Sequence, residues 1–298
     1  MKVKNHFYIL LTLIIFGWGC ADPNSGSDDK GDGTEESSGS KNKETNLLEI
    51  EGQLFSIPSP VQTAILIKQV GSNFDAGILN DPKSYSNYST SFQKAINLGI
   101  YGADLGYVTI YEQTQDALSY FASVKKLGDE LGVTAAFDMT LAERFEKNLS
   151  NKDSLLSLVS DAFKASDSYL KNNKRNDIGG LILTGGWIES LYFSTIVAKQ
   201  SSNDDIITRI GAQKNTAKNL VKLLMPYYSK QEYKMLIDQL QELNAIFENI
   251  EIEYTYNKPE VDPENKLTII TSRTDIRITD EQLEAISSLV NSIRNNLI

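Results

Sequence analysis

The sequence predicts an all-α fold, a multi-helix bundle or a stack of helical pairs, with one C-terminal β-hairpin before the last helix. Three observations carry this prediction. Apolar residues recur at three- and four-residue spacing through most of the chain between Pro58 and Ile250. At Ile250, Ile252, Tyr254 and Tyr256 the pattern changes to strict alternation with Glu251, Glu253 and Thr255, the two-residue period of a half-buried strand. Two glycine-rich runs, Leu98 to Glu112 and Asp177 to Tyr192, have faces with almost no side chain, which suits helices whose backbones approach each other closely.

At the N-terminus, Lys2 and Lys4 precede an apolar run from Phe7 to Phe16, followed by Gly17, Trp18, Gly19 and Cys20. This is the layout of a secretory signal peptide, expected over residues 1–19. Cys20 is the only cysteine in the chain. The segment resembles a bacterial lipoprotein signal, with Gly19 as the small residue before the cysteine. Gly17 replaces the usual aliphatic residue, and such relaxed versions resemble those of the Bacteroidota. The resemblance implies a lipid on Cys20, which anchors a chain to a membrane without spanning it.

Residues 20–46 then form an expected tether. From Ala21 onward it contains essentially no residue suited to a core, and seven acidic residues stand against three lysines. Acidic residues soon after a lipidated cysteine resemble surface-export signals of Bacteroidota lipoproteins. The expected location is therefore the outer membrane, on its periplasmic or its external side. Residues 47–298 make one helical domain.

Within it, Pro58 and Pro60 open a helix through about Val70, with Ile65, Leu66 and Val70 as its stripe. Asn80, Asp81 and Pro82 mark a turn, and Ser and Thr before Phe92 can cap a short helix to Leu98. The first glycine-rich helix follows. Leu118, Phe121, Val124, Leu127 and Leu131 set the next helix, which ends at Gly132. Thr140 and Glu143 have the spacing of a capping box for a helix to Leu149, and Leu155, Leu156, Val159 and Phe163 mark another.

The second glycine-rich helix runs from Asp177 to about Lys199. Its eleven uncharged residues before Glu189 are too few for a bilayer, which needs about 20, and no later segment approaches that length. Ile206 to Leu224 reads as one helix before Pro226. Ser229 and Glu232 are spaced to cap the next, which carries Tyr233, Leu236, Leu240, Leu243 and Phe247. The hairpin, at about residues 250–278, pairs a strand at Ile250 with a second strand within Leu267 to Ile278, so that Glu251 and Glu253 face Arg273 or Arg277. Thr279 and Gln282 cap a final helix with Leu283, Ile286, Val290, Ile293 and Leu297 on one face.

Composition excludes several chemistries. Without Lys2 and Lys4 the chain carries 27 basic against 39 acidic residues, a balance of −12 that does not attract nucleic acid. The only histidine, His6, lies in the signal segment. The domain thus has no Ser-His-Asp or Cys-His nucleophile, no His or Cys metal ligand and no disulfide. No cofactor and no metal site is assigned.

Carboxylates and aromatics are what remains for a site. Tyr101, Asp104, Tyr107, Tyr111, Glu112, Asp116, Trp187, Glu189 and Tyr192 lie on or beside the two glycine-rich helices. Two carboxylates about 5 to 9 Å apart with aromatic platforms suit glycan binding or glycan hydrolysis. A structural network is the stronger reading of the same residues, because buried Tyr normally seeks such partners.

The stretches NLGIYGADLGY (97–107), YEQTQDALSY (111–120) and GGWIESLY (185–192) resemble those of helical lipoproteins of the Bacteroidota. The resemblance implies the fold and the envelope location, and no activity. Two functions are therefore expected in order: a membrane-anchored, non-enzymatic domain that binds an envelope protein or ligand, and a carboxylate-based glycan binder or hydrolase.

Overall fold

Two helices cross with their backbones in contact, and the rest of the domain is arranged around them. In the computed structural model, which describes residues 46–50, 53–133, 140–149, 151–263 and 265–298, these are α2 (Ser91–Ile110) and α6 (Asn176–Ser201). A Cβ on Gly99 would run into the Ile182 carbonyl oxygen, and one on Gly185 into that of Ile96. Only glycine permits this approach. Ile96 lies against Gly185, Asp104 beside Glu189 and Tyr107 against Phe193, so residue numbers rise together and the helices run in the same direction.

Every residue of α2 from Ala95 to Ile110 is buried. The expected short helix at Phe92 and the glycine-rich helix are one element, opened by a capping box in which Thr90 and Gln93 bond each other's backbone N–H. Other glycines of the two runs serve other neighbours. Gly106 admits Val61 of α1 (Pro60–Gln69), Gly180 admits Leu223 and Leu224 of α8 (Lys214–Leu224), and Gly179 faces Leu170 of α5 (Lys152–Asn172).

The remaining helices surround the crossing. α1 packs on both members, and α3 (Thr114–Leu131), which ends at Gly132 in the left-handed conformation, packs on α2. α4 (Leu141–Lys147) precedes α5, but Thr140 does not form the expected side-chain cap. The single helix expected from Ile206 to Leu224 is two: α7 (Asp204–Gly211) and α8, separated at Ala212 and Gln213. The Ile276 methyl meets the Gly211 backbone at this break. α9 (Gln231–Glu248) starts at Lys230 rather than at the expected Ser229 cap, and Glu232 instead accepts a bond from Thr90. α10 (Asp280–Leu297) has the expected Thr279–Gln282 capping box and packs on α6 and α9.

The fold is all-α with short antiparallel strand pairs. The C-terminal hairpin occupies the expected span but is interrupted. β3 (Glu251–Thr255) pairs with β6 (Arg273–Arg277), and beyond a bend β4 (Glu260–Asp262) pairs with β5 (Leu267–Ile269). Arg277 reaches both Glu251 and Glu253 at 3.4 Å, whereas Arg273 turns to Asp275. A further hairpin, β1 (Asn46–Ile50) with β2 (Gln53–Ile57), was not anticipated and stands at the start of the expected domain. Residues 1–45, including Cys20, lie outside the described residues.

One sequence expectation needs correction. α6 is long and apolar enough to cross a membrane by length and composition, its only charge between Asp177 and Lys199 being Glu189. Its most apolar window is 83% buried inside the domain, so its hydrophobicity is spent on helix neighbours.

Candidate functional site

The polar centre of the molecule forms where α2, α6 and α10 meet. Asp104 and Glu189 are each 0% exposed, and Arg294 is 5% exposed. Arg294 donates from Nε to Glu189 Oε2 at 2.6 Å and from Nη2 to Oε1 at 2.7 Å, a two-pronged ion pair. Its Nη2 also donates to the Ile78 carbonyl at 3.0 Å, and its guanidinium lies 4.3 Å from the centre of the Tyr192 ring.

Asp104 completes the cluster in a different state. Neither of its oxygens has a well-formed hydrogen bond; its polar neighbours are the Glu189 carboxylate and the Asn80 backbone, which offsets the rise only weakly. Burial first, and the Glu189 charge second, hold its carboxyl well above the usual carboxylate range. Burial also raises Glu189, while the hydrogen bond and charge of Arg294 oppose the rise. One guanidinium compensates one carboxylate. Glu189 is therefore the ionised partner of Arg294, and Asp104 is the carboxyl of the pair whose protonated form the site favours.

The tyrosines around this centre hold a loop. Between α1 and α2 the chain runs along α2 and α3, and its backbone is held by their side chains. Tyr101 donates to the Asp81 carbonyl at 2.7 Å, Tyr120 to that of Asn80 at 2.8 Å, and Ser123 to that of Pro82 at 2.7 Å. Tyr111 donates to the Ser72 carbonyl at 2.7 Å, and Tyr107 accepts from the Asp75 N–H at 3.2 Å. Together with Arg294 on Ile78, these bonds satisfy backbone groups where the partly exposed loop presses against the core. Burial pushes the Tyr107 hydroxyl up to about 12 and raises those of Tyr101 and Tyr120 further, so all three remain protonated donors or acceptors.

The nine residues proposed from sequence thus separate. Asp104, Glu189 and Tyr192 come together, and Tyr101, Tyr107 and Tyr111 lie along the same helix face in the loop-holding set. Glu112 is exposed at the corner between α2 and α3, has a φ of 60°, and pairs with Lys68. Asp116 lies in the first turn of α3, partly exposed. Trp187 faces elsewhere, with its indole N–H donating to Gln213 at 3.1 Å. They do not form a common open pocket, because α10 and the loop close over the two carboxylates.

Arg294 is the central residue that the sequence reading missed. A signal was present: Arg294 falls four residues after Val290, on the apolar face of the last helix, where a charge is costly unless it has a buried partner. Among the described residues, no group of three or more His, Cys, Asp and Glu is placed to hold a metal.

Fold and site define a class: a helical domain built on a crossed glycine-helix pair, closed over a buried ionic cluster, with a protruding β-arm. Comparison with protein-family models, curated proteins and solved structures finds no match to the chain.

Proposed function

We propose that this chain is a membrane-anchored cell-envelope lipoprotein whose helical domain is a non-enzymatic scaffold that presents the C-terminal β-arm to a partner protein. One observation carries the reading. Of the ten large hydrophobic side chains exposed among the described residues, seven lie in the arm: Ile252, Tyr254, Tyr256, Val261, Leu267, Ile269 and Ile270. A two-stranded ribbon is marginally stable alone, and both its edges are open for pairing. Concentrated apolar surface on such an element marks a contact site.

The membrane part of the proposal is supported by the signal-like segment and the lone Cys20. The lipid would hold the domain at the outer membrane, facing the periplasm or the exterior. The glycan alternative calls for Asp104 and Glu189 to open to solvent, and both are 0% exposed, which favours the partner reading.

A photocrosslinking amino acid at Tyr256 or Ile270 should give a discrete adduct in intact cells, and the same group at Lys222 on α8 should not. Equal adducts at all three sites, or none in the arm, would remove the partner reading. Cys20→Ser should abolish incorporation of a fatty-acid analogue; unchanged labelling would move the anchor elsewhere.

A further inference from the structure

We propose that a cavity beside Arg209 binds a small monovalent anion of single-atom size, a halide such as chloride. The cavity lies between α1, α6 and α7 and is lined by Thr63, Trp187, Ser190, Ser194, Arg209 and Gln213, with Pro58, Leu191 and Ile210 as its apolar wall. Its internal space fits about one water-sized sphere, which limits the guest to a single heavy atom.

Arg209 is the only charged side chain in the lining. Its Nε is buried and has no hydrogen-bond partner, and among the described residues its guanidinium pairs with no carboxylate. Burial lowers its hold on its proton, with no neighbouring charge opposing the loss. The residue as a whole is partly exposed, but this Nε–H is shut away from water, and a buried charged donor without an acceptor is costly.

The neighbouring polar groups fit an acceptor-only guest. Ser190 and Ser194 already donate to the Gly186 and Ser190 carbonyls, at 2.6 and 2.9 Å, and Gln213 accepts the indole N–H of Trp187. Thr63 lines the same cavity, and its hydroxyl can supply a second donor beside the Arg209 Nε–H. In a chain of net charge −10, this cation is one that the protein's own carboxylates do not reach.

Trp187 provides the readout, because it lines the cavity and is 2% exposed. Iodide quenches an indole only at close range, and a buried indole is shielded from random collision. The full chain would be titrated with potassium iodide at constant ionic strength, balanced with gluconate, which is too large to enter.

The expected result is a saturable loss of Trp187 emission, competed by chloride. Trp187→Phe removes the saturable component and leaves any signal from Trp18. Arg209→Met should turn the saturating curve linear, and Arg209→Lys, which keeps the charge, should retain saturation with affinity weakened about tenfold or more. A linear or flat response in the wild-type chain, with a melting temperature unaffected by chloride, would mean that the cavity holds only water and would overturn the proposal. If Arg209→Met does not fold, Thr63→Val serves, with a severalfold weakening expected and an unchanged curve counting against the site.

Discussion

Asp104 shows how one buried residue can set a pH dependence for the whole fold. Its carboxyl is raised in the folded state by burial and by Glu189, and in the unfolded chain it titrates near 3.9. A group raised on folding contributes stability that is fully present below the unfolded value. That contribution is lost as pH climbs toward the folded value, by about 1.4 kcal/mol per pH unit. Asp104→Asn keeps a neutral donor beside Glu189 and does not titrate. Its stability relative to wild type, followed by urea unfolding between pH 4 and pH 8, should be near zero at the acid end and increasingly favourable above it. A pH-independent difference would show that Asp104 is ionised in the fold. The acid needed at this position was visible in the sequence, but its protonation was not, because that depends on an arginine 190 positions away.

The glycines of the crossing helices act at the scale of elements, and they are not equivalent. Gly185 meets the Ile96 carbonyl, which is backbone and cannot rotate away. Gly185→Ala should force α2 and α6 apart and cost about 3 kcal/mol or more, at or beyond the upper end for core overpacking. Gly179 meets only the flexible end of Leu170, at 3.8 Å. There the gain in helix propensity decides, and Gly179→Ala should stabilise by about 0.5 to 1 kcal/mol. Thermal melts of the two variants should move in opposite directions, and a shared direction would mean that the crossing is looser than described. The glycine runs and the crossing were legible from spacing alone. Which glycine faces which neighbour was not, since α1, α5 and α8 compete for the same helix faces.

For the whole molecule, the body and the arm divide their tasks. The arm keeps its large apolar side chains in water, so it adds little to the core: Tyr254 and Tyr256 are 63% and 67% exposed. Replacing residues 256–272 by an Asn-Gly turn, which suits a two-residue hairpin, should leave body stability within about 1 kcal/mol. A collapse of the melting temperature would instead show that the arm supports the fold through Ile276 and Gly211.

Local pattern by itself determined the all-α class, most helix positions, the Thr279 cap, the Gly132 stop and the C-terminal strands, because spacing, capping and turn chemistry act over a few residues. Two errors and one point left open by the sequence share one cause. The division of α7 from α8, the displaced start of α9 and the enclosure of Asp104 and Glu189 all arise from contacts between distant segments: Ile276 against Gly211, Glu232 with Thr90, and Arg294 on Glu189 and Ile78. Only the tertiary structure decided whether the central carboxylates would be a pocket or a closed ionic cluster. A carboxylate's chemistry depends on the dielectric and the partner charge around it, and both are brought there by chain from elsewhere in the sequence.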